Sequence, residues 1–162
     1  MSKEISITQG QVTLVDDEDY EYLSQWKWQA EKYLKCYRVF RTQKTGYIKK
    51  KKFYMHRVIM NPPDDMEIDH KNRNPLDNRR QNLRIATTTQ NMWNRTSTSK
   101  SGYRGVKTSG KKYQARIGTG RTYIGTFNTA EEAACAYDEK AKEFYGEFAN
   151  TNFQSIGVNN EI

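Results

Sequence analysis

One carboxylate, one imidazole and two amides recur at set intervals in this chain: Asp69-His70, Asn82 thirteen residues after Asp69, and Asn91 nine residues further on. These groups suit hydrolysis of a phosphodiester, which needs an activated water, neutralisation of the phosphate charge and help for the leaving oxygen. A single divalent cation supplies the last two as a Lewis acid. Asp69 is the anionic ligand expected for it and Asn91 the neutral one, and such hard oxygens favour Mg²⁺ or Mn²⁺ over zinc. Two protein ligands leave most of the coordination shell to water and a substrate phosphate, so binding without DNA is expected to be weak. His70 is the expected general base, because a neutral imidazole accepts a proton from water near neutral pH. Asn82 is expected to accept the His70 Nδ1–H through its side-chain oxygen and leave Nε2 for the water, the orienting role of a triad carboxylate. His56 and Asn94 are supporting candidates. Taken singly, an Asp-His pair is as readily a turn, and an asparagine a cap. Four such groups in one frame favour catalysis.

Charge points to the substrate class. The 162 residues carry a net charge of +8, and from Asn78 to Ala130 there is no Asp or Glu while eleven Lys or Arg occur. Solvated surfaces normally mix both signs, so this segment predicts a polyanionic partner. A merely basic soluble protein is the bland alternative. Arg79, Arg80, Arg84 and Arg95 are candidates to clamp backbone phosphates of double-stranded DNA. Cys36 and Cys135 form no CxxC pattern, which argues against structural zinc and a disulfide scaffold. No apolar run approaches the roughly 18 residues of a membrane helix. A soluble, cytoplasmic protein is expected, in a bacterial or phage-infected cell, with no membrane and no protein partner evident.

The elements that must position these groups are small. Ile5–Thr8 and Val12–Val15 read as strands, and Asp16 or Asp17 as the cap of a helix through Leu23. Trp26 and Trp28 around Lys27, then Tyr37, Val39 and Arg41 around Arg38 and Phe40, alternate as strands. Thr45-Gly46 marks a turn into Lys49–Lys52. Met66–Asp69 and Asn82–Thr87 read as two strands around a polar loop. A helix capped by Thr88 or Thr89 follows through Arg95, giving the order strand, strand, helix. Residues 96–102 have linker composition. Beyond them Tyr103–Lys107, Lys112–Ile117 and Arg121–Phe127 read as three strands. Thr129-Ala130-Glu131-Glu132 has the form of a capping box. It opens a helix with Ala130, Ala134, Tyr137, Ala141 and Phe144 on one face, ending at Gly146.

The spacing of Asp69, His70, Asn82 and Asn91, with Met55-His56-Arg57, Asp77-Asn78-Arg79 and Asn82-Leu83-Arg84, resembles the HNH nucleases, in the variant where asparagine replaces the last histidine. The spacing looks like that of phage homing nucleases. The resemblance implies a ββα-metal core over residues 55–95, preceded by an amino-terminal α+β module over 1–54. Residues 103–153 resemble the ethylene-response-factor type of DNA-binding domain, through Tyr103-Arg104-Gly105-Val106, Tyr123-Ile124-Gly125-Thr126-Phe127, Ala136-Tyr137-Asp138 and Asn150-Thr151-Asn152-Phe153. Such domains lay a three-stranded sheet in the major groove with one helix behind it. That implies groove-facing roles for Arg104, Lys107, Lys112, Arg116, Arg121 and Tyr123, close approach at Gly105, and a phosphate contact from Tyr137. The chain departs from that pattern at Ser109-Gly110, where relatives carry arginine and tryptophan, and at Arg116, where an acid is common. Residues 154–162 form a tail.

The fold expected is therefore α+β: a small sheet module, a ββα-metal core, and a three-stranded sheet with one helix. The function expected is DNA cutting by a metal-dependent HNH endonuclease of the homing or mobile-element class, targeted by its last domain. A non-catalytic DNA-binding regulator with a relict nuclease fold is the alternative, and a less selective defence nuclease a third reading.

Overall fold

Apolar residues at alternate positions build the first hairpin, β1 (Ser2–Ser6) against β2 (Val12–Asp16). Ile5, Thr13 and Val15 turn inward from it. The computed structural model describes residues 1–33, 36–45, 49–95 and 99–153. Helix α1 (Asp17–Ser24) starts after Asp16 with three acids in its first turn, where they complement the helix dipole. The Asp16 side chain does not cap it. Instead its Oδ2 accepts the Arg80 backbone N–H at 2.7 Å.

A three-stranded antiparallel sheet follows, in the order β3 (Gln29–Tyr33), β4 (Cys36–Lys44), β5 (Lys50–Tyr54). The strand expected through Trp26 and Trp28 begins only at Gln29. Trp28 is 2% exposed and donates its Nε1–H to the Leu23 carbonyl at 2.8 Å. Packing of this indole against the end of α1 overrides the alternation. Gly46 of the expected turn lies outside the described residues.

Helix α2 (Met55–Met60) leads to β6 (Glu67–His70) and β7 (Leu83–Ala86), which pair antiparallel with Asp69 opposite Arg84 and His70 opposite Leu83. Helix α3 (Thr88–Trp93) completes the order strand, strand, helix. Ile5, Ile7, Val15, Leu23, Trp28, Val39, Met55, Ile59, Ile68 and Leu83 share one apolar core. That core draws on residues from both sides of position 54, and the chain divides into Met1–Asn91 and Met92–Ile162. The polar loop of residues 71–81 is tied to the first hairpin. Leu14 N–H donates to the Leu76 carbonyl and Asn78 N–H to the Leu14 carbonyl, each at 2.8 Å.

The second unit holds the sheet β10-β9-β8, made of β8 (Val106–Ser109), β9 (Lys112–Ile117) and β10 (Thr122–Phe127), and helix α4 (Ala130–Tyr145). Thr129 and Glu132 form the expected capping box. The buried helix face is Ala133, Ala134, Tyr137, Ala141 and Tyr145, whereas Phe144 is 57% exposed. Tyr145 wins that place because its hydroxyl accepts the Gly118 N–H at 2.9 Å while its ring packs on Trp93. The first strand starts at Val106 rather than Tyr103. Ser99 and Ser101 donate to the Tyr103 and Val106 carbonyls, which folds this part of the expected linker into a turn. Residues 96–98 and 154–162 lie outside the described residues.

Candidate active site and nucleic-acid interface

Strand pleating sends alternate side chains to opposite faces, so Glu67 and Asp69 of β6 share one face of the hairpin. Asp69 is 5% exposed and Arg84, opposite it, 9%. The Arg84 Nε and Nη2 both reach Asp69 Oδ2, at 2.8 and 2.6 Å. Asn91 comes from α3, and its Nδ2 donates to Glu67 Oε2. Thr88 Oγ1 donates to Glu67 Oε1 at 3.1 Å. Glu67 thus lies on the face of Asp69 and in contact with Asn91, an acid the sequence reading passed over. Its signal was available: it stands two residues before Asp69 on a strand. With the Asn91 amide nitrogen on Glu67, the amide oxygen is the atom left to act as a ligand. Among the described residues no group of three or more His, Cys, Asp and Glu is arranged to hold a metal ion. The donor set on offer is carboxylate and amide oxygen, which fits a hard divalent cation.

His70 occupies the other face of β6. It is 9% exposed, and burial pushes its pKa below the ordinary imidazole value, against smaller opposing effects of Asn78, Asp69 and Asp77. Its Nε2 lies 3.4 Å from Asn78 Oδ1. The role expected of Asn82 is not the one it plays. Its Oδ1 accepts the Asn72 backbone N–H at 3.0 Å and its Nδ2 donates to the Asp77 carbonyl at 2.8 Å. Both ends of that amide are engaged in closing the loop before β7.

His56 lies beside His70 through its ring. It stacks on Tyr54 at 5.7 Å and meets His70 edge-on at 5.3 Å. Burial, then the His70, Arg57 and Arg38 charges, lower its pKa to about 3. The folded protein therefore keeps His56 neutral where the unfolded chain takes up a proton. Stability tied to this group is complete above the unfolded value of about 6.5 and is lost as pH falls from there toward 3. Chemical denaturation is expected to show a loss of about 2 kcal/mol from His56 alone between pH 7 and pH 5, with a flatter profile in His56→Phe. An identical pH slope in the variant would contradict this.

Three of the expected phosphate clamps have carboxylate partners inside the first unit. Arg79 forks onto Asp77, with both bonds at 2.7 Å. Arg80 forks onto Asp19 at 2.8 and 2.7 Å and reaches Glu18 at 3.1 Å. Arg84 is buried on Asp69. The Arg79 and Arg80 pairs fasten the loop before β7, and the Arg84 pair joins the two strands of the hairpin. Arg95 is exposed, and its carbonyl accepts from Arg104 and from Asn150. Asn94 is buried in the second unit and its carbonyl accepts from Asn150 at 3.0 Å, so its backbone helps to hold that unit.

In the second unit the candidates separate by face. Arg104 turns inward, donating to the Tyr137 hydroxyl at 2.8 Å and to the Trp93 carbonyl at 2.8 Å. Tyr137 is 3% exposed, and its hydroxyl accepts from Arg104. Gly105 has φ +73°, and a Cβ there would overlap the Tyr137 ring. It permits close approach of that ring. Lys107, Lys112, Arg116 and Tyr123 share the outer face of the sheet with Gln114. Arg116 lies over the Tyr123 ring at 5.8 Å and donates to Gln114 Oε1 at 3.3 Å. Arg121 sits in the turn before β10 with φ +51°, and its carbonyl accepts from Arg116. This face offers cations, an amide and an aromatic hydroxyl in rows, the chemistry that reads base edges and phosphates.

Residues 38–93 match the HNH endonuclease family, a span that adds β4 and β5 to the expected core. An uncharacterized HNH endonuclease of Acanthamoeba polyphaga mimivirus is 42% identical over 93 residues, 56% of this chain and 49% of that protein. A dehydration-responsive element-binding protein of Arabidopsis thaliana is 61% identical over 33 residues, 20% of this chain and 10% of its own. An ethylene-responsive transcription factor of the same plant is 34% identical over 106 residues, 60% of this chain and 66% of its own. Several such plant similarities fall over the C-terminal region. The chain spans about half the length of the mimivirus protein. No helix among the described residues is long and apolar enough to cross a membrane.

Proposed function

We propose that this chain, an HNH endonuclease domain joined to a segment similar to plant ethylene-responsive transcription factors, is a divalent-metal-dependent DNA endonuclease of the homing or mobile-element class. The observation that carries the reading is the grouping of Asp69, Glu67 and Asn91 on one side of the β6–β7 hairpin, with a neutral, buried His70 on the same strand. Asp69 and the Asn91 oxygen are the ligands, and Glu67 holds the Asn91 amide in the orientation that presents its oxygen. A divalent cation bound there supplies charge neutralisation to the phosphate and the leaving oxygen. His70 accepts the proton of the attacking water. Mg²⁺ and Mn²⁺ both suit these oxygens. Duplex DNA is the substrate, and the outer face of β8–β10 is the docking surface that raises its local concentration at chosen sites.

A metal titration of plasmid cutting tests the ligand assignment. Asn91→Ala is expected to raise the Mn²⁺ concentration for half-maximal cutting by about tenfold or more, with the rate at saturating Mn²⁺ less affected. An unchanged half-maximal concentration would remove Asn91 from the ligand set.

A further inference from the structure

We propose that Asn78 is the positioning residue for His70, holding the imidazole proton on Nε2 and its lone pair on Nδ1. Asn78 is fully buried, and the direction of its amide is fixed by chemistry. Its Nδ2 donates to the Pro75 carbonyl at 3.1 Å, an oxygen that can only accept. The same nitrogen donates to Thr13 Oγ1 at 2.8 Å. The hydroxyl hydrogen of Thr13 goes to the Leu76 carbonyl at 2.8 Å, with the Met55 sulfur farther away at 4.0 Å. Reversing the amide would set its oxygen against the Pro75 carbonyl. The oxygen must therefore face His70, 3.4 Å from Nε2, and an amide oxygen can only accept. Nε2 then carries the hydrogen, and the tautomer is the reverse of the one expected from Asn82.

The frame holding Asn78 is built outside the β6–β7 hairpin. Its backbone N–H donates to the Leu14 carbonyl of β2, and Thr13 belongs to the same strand. The first hairpin thus reaches the catalytic candidate through one side chain, which gives the amino-terminal module a part in the chemistry. Asn82 cannot substitute, since its oxygen and its nitrogen are already engaged with Asn72 and Asp77. Nδ1 becomes the atom that takes the proton from water.

The kinetic consequence rests on the nuclease reading, whereas the tautomer does not. The chain has two histidines, so ¹⁵N-histidine spectra of the full protein, with His56→Phe for assignment, report the proton position on His70 directly. The expected wild-type pattern is Nε2–H, giving way to a mixture in Asn78→Ala and, in part, in Thr13→Val. In single-turnover cutting Asn78→Ala is expected to lower kcat by about 10- to 100-fold with KM for duplex unchanged. The same substitution placed in a His70→Ala background is expected to cost nothing further. A wild-type His70 with its proton on Nδ1 overturns the proposal, and so does an equal loss from Asn78→Ala with or without His70. If Asn78→Ala fails to fold, the wild-type spectrum and Thr13→Val still decide it. A protein that cuts no DNA yet shows Nε2–H, lost on substituting Asn78, retains the positioning role and removes only the nuclease reading.

Discussion

His70→Ala is expected to lower the rate of strand cutting by about 10²- to 10⁴-fold, the usual contribution of a positioned general base. Duplex binding is expected to survive, because the outer face of the second sheet contains none of the catalytic candidates. The effect belongs to kcat, because His70 is 9% exposed and offers little surface to the duplex. Its lowered pKa, caused first by burial, keeps the base neutral at pH 7. Wild-type cutting is therefore expected to be flat above neutrality and to fall only as pH drops through that depressed value. A His70→Ala protein that binds duplex normally and cuts at the wild-type rate would show that the proton goes elsewhere.

Arg84→Ala is expected to destabilise the first unit by about 3–5 kcal/mol, the usual cost of breaking a buried ion pair by removing one partner. The side chains of Arg84 and Asp69 are 10% and 6% exposed, so the Asp69 carboxylate loses its guanidinium in a poorly hydrated place. Arg84 also shares Asp69 with the proposed cation. The destabilised variant is therefore expected to regain part of its stability when Mn²⁺ is added, by linkage of binding to folding, and Asp69→Asn is expected to abolish that rescue. Urea denaturation with and without Mn²⁺ measures both effects. A loss below about 1 kcal/mol, typical of exposed pairs, would mean that the pair does not hold the hairpin.

The strand–strand–helix order was legible because local signals agreed. The threonine run marked the start of α3, though Thr87 rather than Thr88 or Thr89 caps it by exchanging bonds with Gln90, and Thr129 with Glu132 announced α4. Trp26 and Trp28 misled because alternation carries no record of the Leu23 carbonyl that takes the Trp28 indole N–H. The acid-free stretch after Asn78 misled in a more instructive way. Asp77 lies just before it, but Asp16, Asp19 and Asp69 reach Arg80 and Arg84 from strands and a helix earlier in the chain. Charge counted along sequence is not charge counted in space. Lys107, Lys112 and Arg116 face outward, whereas Arg79, Arg80 and Arg84 already hold carboxylates. Asn78 was visible in the motif Asp77-Asn78-Arg79, but its partner on His70 depends on Thr13, a contact 65 residues distant.

Supercoiled plasmid incubated with the intact protein and Mg²⁺ or Mn²⁺ tests the central claim most directly. Nicked or linear DNA that forms only with the cation, and is lost in Asp69→Ala, is the result expected. Plasmid that is bound and retarded but stays supercoiled under either cation would contradict it, and would leave a DNA-binding regulator built on a nuclease fold.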